Sequence, residues 1–301
     1  MLPIYDANPT KVFPFVTISI VLVTSFVWVF VQGSGHIDAL DYSICKFASS
    51  QNYHLDYGVS HNSLCLVDNV GSISLITSIF IHDEWLHVLM NLWFLWLFGN
   101  NIEEAFGRFK FLIFYLSAGV LTELISIIFS DGSVILSYGA SGSVAAVLGA
   151  YAVIFRHAKI LIFMPLTFKF LNFKSKSEQD QLDKSPWLFY LHANYFILMY
   201  VGFDLWSLFD EFMGGISGVN IVAHLSGYLI GGLVAYVALK RNNLDHIKEV
   251  IENQEKTRKQ SGEINPIVLK IVNSLQLFIS WAFILGSVAL LIFILIEIRQ
   301  I

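Results

Sequence analysis

The chain has 301 residues, of which 55% are hydrophobic, 15% are aromatic and 14% are charged. Soluble domains usually carry about 25% charged residues, so this chain lacks the charge needed to cover a water-facing surface. The composition also excludes a disordered chain, a coiled coil and a disulfide scaffold, and we expect most of the surface to face lipid. The net charge of −5 says less, because charge placement matters more than its sum in a membrane protein.

Seven apolar segments are candidates for membrane-spanning helices, which need about 20 mostly apolar residues. In chain order they are residues 15–31, 85–99, 111–129, 141–155, 192–209, 221–239 and 271–296. The sequence therefore predicts an all-α membrane protein. We expect six of these helices within residues 1–240, a cytoplasmic linker over 241–265 and the seventh, C-terminal transmembrane helix within 266–301.

The basic residues predict the orientation of these helices. If the N-terminus is cytoplasmic, all of the 18 Lys and Arg residues except Lys46 and Arg299 fall in cytoplasmic segments. This distribution follows the positive-inside rule. We therefore expect a multi-pass protein of the cell membrane with a cytoplasmic N-terminus.

The first external segment, residues 33–71, is long for a connection between adjacent spans, and such loops are usually functional or carry structure of their own. It contains both cysteines, Cys45 and Cys65. In an oxidising external space they would form a disulfide, and otherwise they are two free thiols. The sequence leaves these alternatives open.

A polar cluster opens the second predicted span. On a helix, His87 and Asn91 share a face, because they are four residues apart. Interfacial side chains beside Trp85 explain the neighbouring acidic residues, but they do not explain Asn91, which an apolar run follows. Polar groups at membrane depth are costly and are therefore candidates for a functional site.

A second cluster, residues 138–143, opens the fourth span. Glycines flank Ser141 and let another backbone approach closely. The first turn of a helix also offers free backbone N–H groups to a developing anion. Small residues in membrane helices are more often packing faces than active sites, so this cluster alone leaves both interpretations open.

The third cluster lies in the sixth span, where His224, Gly227 and Gly231 fall on one face of a helix. A matching stripe of small residues on the fourth span consists of Ser141, Ala145 and Gly149. If the two stripes pack together, His224 comes within reach of Ser141 and the two form a nucleophile and its base. A packing histidine or a metal ligand is the alternative. By the predicted orientation, all three clusters lie toward the external side.

These residues resemble the motifs of the rhomboid family of intramembrane serine proteases. The matching patterns are His82-x4-His87-x3-Asn91, Gly139-Ala140-Ser141-Gly142 and Ala223-His224-x2-Gly227-x3-Gly231. Segments 3–9 and 94–103 are also similar to the family. The resemblance covers about residues 1–240 and implies a six-helix rhomboid core, to which the predicted seventh helix is an addition.

The resemblance implies a Ser–His dyad with Ser141 as the nucleophile and His224 as the general base. It also implies an oxyanion hole made of the His87 side chain, the Asn91 amide and the Ser141 backbone N–H. The implied substrates are single-span transmembrane proteins in the lipid bilayer, cut near the external face. The resemblance implies no cofactor, no metal and no nucleic acid partner, and it leaves the oligomeric state unknown.

Some residues depart from the family pattern or have no predicted role. Many members carry an aromatic residue four positions after the serine, where this chain has Ala145. His82 belongs to the motif, but we expect a rim or structural role, because its helical angle points away from His87. The acidic residues Glu123 and Asp204, within the third and fifth spans, have no predicted role.

Two functions compete with an intramembrane serine endopeptidase. A catalytically silent binder or chaperone of membrane proteins would have the same fold, with a Ser141 that does not react with a fluorophosphonate. A transporter or metal-binding membrane protein would use His82, His87 and His224. Against this last function, the sequence shows no repeated halves and no paired broken helices.

Overall fold

The computed structural model arranges helices around one short central helix. It describes residues 2–6, 8, 10, 12–47, 49–50, 73–129, 136–156, 158–163, 188–213, 220–240 and 252. All of these belong to the first of two compact units, Met1–Glu255, and the second unit is Lys256–Ile301. The predicted seventh span and nearly all of the predicted linker lie outside the described residues, so both stay predictions.

Each of the first six predicted spans overlaps a helix of the structure. The helices are α1 (Phe15–Phe26, continued by a π-helical turn over Val27–Val31), α2 (Ile37–Phe47), α3 (Ser74–Thr77), α4 (Trp85–Phe106), α5 (Arg108–Phe129), α6 (Ser141–Ile154), α7 (Ala193–Phe212) and α8 (Ile221–Lys240). Helix α2 lies in the long segment predicted to be external. The Cys45 side chain and Cys65 lie outside the described residues, so the disulfide stays an open alternative.

Helix α4 continues past its predicted end, through a polar stretch, to Phe106. Within this stretch, Glu103 accepts hydrogen bonds from the backbone N–H groups of Val16 (2.9 Å) and Thr17 (2.7 Å). The first N–H groups of a helix have no partner within that helix, so the carboxylate caps the start of α1. Glu103 therefore stays buried within α4, because its carboxylate accepts hydrogen bonds from the neighbouring helix α1.

Helix α6 is the centre of the bundle. Its side chains are buried without interruption from Gly142 to Tyr151, and the helix contacts α4, α5, α7 and α8. A helix surrounded on all sides needs small side chains where neighbouring backbones approach closely, and α6 supplies them. The residue composition of α6 thus follows from its central position.

Helices α6 and α8 meet almost backbone to backbone. A Cβ added at Gly231 would overlap the carbonyl oxygen of Ala146, and one added at Gly149 would overlap the carbonyl oxygen of Tyr228. A Cβ at Gly227 would lie 2.8 Å from that of Ala145. The two small-residue stripes therefore pack together, which is the condition under which the sequence brings His224 toward Ser141.

The prediction of an all-α protein is incomplete, because the structure also contains short strands. They are β1 (Leu2–Asp6), β2 (Ser49–Ser50), β3 (Leu136–Ser137), β4 (Lys159–Phe163) and β5 (Leu188–His192). Strand β4 is central in an antiparallel sheet of order β1–β4–β5, and β2 pairs with β3. The sheet ties the beginning of the chain to the segments that follow α6 and precede α7.

Among the described residues, two helices, Arg108–Phe129 and Ile221–Lys240, are long and apolar enough by length and composition to cross a membrane. Two shorter apolar helical segments are Phe15–Val31 and Ser141–Ile154. Many large apolar side chains point outward from the described helices, as expected where lipid replaces water. The number of membrane spans stays a prediction.

Candidate active site

Ser141 is the first residue of α6, and Gly139 shapes the turn that precedes it. Gly139 has a φ of +107°, which L side chains rarely adopt, and its N–H donates to the carbonyl oxygen of Ser78 over 2.9 Å. A Cβ at Gly139 would lie 2.9 Å from Nε2 of His87. Glycine at this position therefore lets the His87 ring reach the backbone just before Ser141.

His87 lies in the first turn of α4, where Asp83 holds its ring. Nδ1 of His87 is 2.6 Å from Oδ1 of Asp83, and the Tyr138 hydroxyl donates to the other carboxylate oxygen over 3.4 Å. The hydrogen bond with His87 lowers the pKa of Asp83 below its ordinary value, so the carboxylate is charged at neutral pH. Asp83 thus fixes Nδ1 and leaves Nε2 directed toward Gly139.

His82 is not at the rim, so that part of the sequence prediction is wrong. It is fully buried, its ring centroid lies 5.0 Å from that of His87, and its Nε2 lies 3.2 Å from Nδ2 of Asn91. The prediction treated His82 as helical, whereas α4 begins at Trp85. Burial lowers the pKa of His82 to about 3, so the ring is neutral and accepts a hydrogen bond from the Asn91 amide.

Gln32, which no sequence motif singled out, supports this arrangement. Its Nε2 donates to the carbonyl oxygen of His82 over 2.5 Å, and its Oε1 accepts from the His82 N–H over 3.0 Å. The side chain is fully buried. The available signal was an amide at the end of an apolar span, where a polar group needs a partner.

His224 lies in the first turn of α8, on the helix that packs against α6. Its Nδ1 is 3.4 Å from Oδ1 of Asp204 on α7. Its Nε2 is buried and makes no hydrogen bond with any part of the chain that the structure describes. Within the described part of the chain, no hydrogen bond links His224 to Ser141. Asp204, for which the sequence predicts no role, is thus the partner of this imidazole.

A buried polar network connects the starts of α6 and α8, and it includes Glu123. The Ser137 hydroxyl donates to Glu123 over 2.5 Å and accepts from the Asn220 amide over 2.9 Å. Ser126 donates to the Asn220 side-chain oxygen, also over 2.9 Å. Asn220 immediately precedes α8, and its side chain accepts from the Ala223 N–H over 3.1 Å. The network therefore fixes the backbone before each of the two helices.

The structure brings His87, Asn91, His82 and Gly139 together, and it places Ser141 at the adjacent helix start and His224 on the facing helix. In the described segments, no group of three or more His, Cys, Asp or Glu side chains is arranged to hold a metal ion. The arrangement combines a hydroxyl, imidazole rings, an amide and a helix N-terminus. Groups of these kinds serve in acyl transfer as nucleophile, base and oxyanion donors.

A family model described as a Rhomboid domain matches residues 71–241 of this chain, which contain all of these groups except Gln32. The chain belongs to the rhomboid family. Rhomboid proteins are membrane-embedded, and the family includes serine proteases. The family match thus agrees with the resemblance seen in the sequence motifs.

Three rhomboid relatives illustrate the extent of the similarity. Rhomboid protein 1, mitochondrial, of Saccharomyces cerevisiae is 35% identical over 96 residues, which are 31% of this chain and 28% of that protein. Rhomboid-like protein 11, chloroplastic, of Arabidopsis thaliana is 28% identical over 165 residues, which are 55% of this chain and 52% of that protein. Rhomboid protease GlpG of Haemophilus influenzae is 28% identical over 174 residues, which are 56% of this chain and 72% of that protein. The match thus spans between about a quarter and about half the length of the two organellar relatives.

Proposed function

We propose that this rhomboid protein is an intramembrane serine endopeptidase that uses Ser141 and His224. The observation that carries the proposal is the close glycine-mediated contact between α6 and α8, which brings the helix beginning at Ser141 against the helix that bears His224. The relative named Rhomboid protease GlpG supports the same reaction class. A nucleophile and a base on two tightly packed helices keep their relative positions.

The proposed reaction is acyl transfer followed by hydrolysis. Nε2 of His224 takes the proton from Ser141 Oγ as that oxygen attacks the carbonyl carbon of the scissile bond. The same nitrogen then gives the proton to the leaving amine as the C–N bond breaks. Water repeats the sequence on the acyl-enzyme and releases the second product. The buried Nε2, free of other described partners, suits both proton transfers.

We propose that His87, Asn91 and the backbone N–H of Ser141 bind the negative charge that develops on the substrate oxygen. The first N–H groups of α6 are unpaired within the helix, as at any helix start. The Asn91 amide bonds His82 with one N–H and keeps a second for the oxyanion. Asp83 holds the His87 ring at Nδ1, so that Nε2 faces the start of α6, where the substrate oxygen would lie. Removing one such donor costs on the order of 10²–10³ in rate.

The proposed substrates are single-span transmembrane proteins, cut near the external face of the cell membrane. The proposed orientation, with a cytoplasmic N-terminus, rests on the placement of Lys and Arg in the sequence. With this orientation, three helices begin on the external side, and their first turns carry Ser141, His224 and His87. Substrate, bilayer and orientation are thus parts of one proposal.

The experiment compares wild type, Ser141→Ala and His224→Ala in membranes that contain a tagged single-span substrate. A suitable control is Ser117→Ala, because among the described residues the Ser117 hydroxyl bonds only within its own helix, to the carbonyl oxygen of Phe114. We expect wild type and control to cut the substrate and to react with a fluorophosphonate probe. Ser141→Ala loses both activities, and His224→Ala loses on the order of 10²–10⁴ in rate, the contribution of a general base.

Equal cleavage by wild type and Ser141→Ala would contradict the assignment. Substrate binding without cleavage or labelling would favour the silent binder or chaperone instead. The side on which the soluble fragment is released tests the orientation in the same assay.

A further inference from the structure

Asp204 is a carboxylate in the middle of the apolar helix α7, and the two-residue mechanism gives it no part. Its side chain is largely buried, with a relative exposure of 17%. Neighbouring positions on α7 expose large apolar side chains, including Phe203 and Leu205. A carboxylate at membrane depth is costly and usually has a specific partner. The identity of that partner therefore indicates what the carboxylate does.

The partner is the imidazole of His224. Oδ1 of Asp204 lies 3.4 Å from Nδ1 of His224, within ion-pair distance and long for a hydrogen bond. Tyr228, one turn further along α8, interacts with the same carboxylate. At the opposite edge of the ring, Nε2 has no hydrogen bond among the described residues. The ring is held at one nitrogen and free at the other.

We propose that Asp204 is a positioning residue for His224, an inference that rests on the proposed function and adds a third member to its mechanism. A carboxylate at Nδ1 keeps the proton of the neutral ring on that nitrogen, so the lone pair of Nε2 stays free for the Ser141 proton. After Ser141 Oγ transfers its proton, the carboxylate stabilises the imidazolium. The ring then protonates the leaving nitrogen and returns to its neutral form.

Because Asp204 and His224 lie on different helices, the position of α7 controls the orientation of the base. The first half of α7 is anchored by buried side chains at Ala193, Phe196 and Ile197. Most side chains over residues 203–212 are exposed. An outward movement of this second half separates the carboxylate from the ring. The base is therefore oriented when α7 lies against α8.

The test compares Asp204→Asn and Asp204→Glu with wild type. Asp210→Asn is the matched control, because Asp210 lies on the same helix and is exposed. Cleavage of the tagged substrate gives kcat and KM, and thermal unfolding of each purified variant reports its stability. We expect Asp204→Asn to lower kcat by at least about 10-fold, and by no more than the roughly 10²–10⁴ that a positioned base contributes, with KM unchanged. We expect Asp204→Glu to recover most of that loss and Asp210→Asn to match wild type.

Two results would overturn the inference while leaving the proposed function intact. One is an Asp204→Asn protein with wild-type kcat. The other is a loss of kcat that follows a loss of thermal stability in both variants and that glutamate does not restore, which is the behaviour of a purely structural ion pair. If wild type itself shows no Ser141-dependent cleavage, the proposed function fails first and the inference fails with it.

Discussion

Gly139 combines an unusual backbone conformation with a lack of space. Its φ of +107° disfavours any L side chain, and an added Cβ would meet Nε2 and Cε1 of His87 at 2.9 and 3.0 Å. A methyl group here therefore pushes the His87 ring away from the start of α6. The glycine is needed for the proposed oxyanion hole as well as for the turn.

We predict that Gly139→Ala loses on the order of 10²-fold in cleavage rate, the cost of displacing one oxyanion donor. The control is Gly107→Ala, because Gly107 has a φ of +80° but no atom within 4 Å of an added Cβ. It should lose about 1–3 kcal/mol of stability from backbone strain and keep its cleavage rate. Wild-type kinetics in Gly139→Ala would exclude His87 from the oxyanion hole.

Single residues were predictable where local spacing determines their position. His87 and Asn91 share a face of α4 because they are four residues apart on one helix. Gln32 and Asp204 were not predictable as members of the site, since their partners lie 50 and 20 residues away in the chain. His82 was misplaced because the sequence does not indicate that α4 begins at Trp85. Distant contacts follow from the packing of whole helices, which no local pattern encodes.

Among the elements, α6 and α8 tolerate no side chain at their closest contact. The Cβ of an alanine at Gly231 would overlap the carbonyl oxygen of Ala146, which is backbone and cannot rotate away. The adjacent Gly232 differs, because its nearest neighbour would be Cγ2 of Val153 at 3.7 Å, an ordinary contact distance. An alanine at Gly231 therefore measures the cost of overpacking, whereas an alanine at Gly232 measures the effect of helix propensity alone.

We predict that Gly231→Ala destabilises the protein by about 1–3 kcal/mol, the usual cost of overpacking. Gly232→Ala should be neutral or should stabilise by up to about 1 kcal/mol, because alanine favours the helix over glycine. Thermal or chemical unfolding of the purified proteins measures both effects. Equal stability of the two variants would mean that α6 and α8 are further apart than the structure places them.

The helices were predictable as elements because long apolar runs have few alternatives in a chain of this composition. The strands were missed because β4 is only five residues long and its partner β1 lies more than 150 residues earlier in the chain. Its residues Lys159–Phe163 form a short apolar run that gives no clear signal of its own. Their role became clear only with the pairing of Leu2 to Phe163.

For the molecule as a whole, Asp6 joins the beginning of the chain to the bundle. Its Oδ2 accepts hydrogen bonds from the Tyr151 hydroxyl (2.6 Å) and the Asn101 amide (2.8 Å). Burial raises the pKa of Asp6 well above its ordinary value. A raised pKa means that the folded state holds this proton more tightly than the unfolded chain. The contribution of this group to the free energy of unfolding is therefore fully present below pH 3.8, the ordinary pKa. It is lost as the pH rises above that value toward the raised pKa of the folded state.

We predict that Asp6→Asn removes this pH-dependent loss, because an asparagine oxygen still accepts both hydrogen bonds and carries no charge. Its melting temperature should rise relative to wild type between about pH 5 and about pH 8. Asp210→Asn, which removes an exposed carboxylate, is the control for how the melting temperature changes with pH when Asp6 is intact. A variant that keeps the wild-type slope would show that Asp6 is not the group responsible.

The unequal lengths of α5 and α6 set the depth of Ser141. The two helices meet where Ser143 donates to the carbonyl oxygen of Tyr115 over 2.9 Å and packs on Gly119. From Gly119, α5 continues to Phe129 for about 15 Å at 1.5 Å per residue, whereas α6 begins two residues from Ser143, or about 3 Å away.

Along the bundle, the serine therefore lies roughly 12 Å short of the C-terminal end of α5, which is the end proposed to be external. If Ser141 cuts a membrane-spanning substrate, this depth determines the position of the cut. The cut falls about eight residues from the external end of a helical substrate segment, or about four residues from the external end of an extended one.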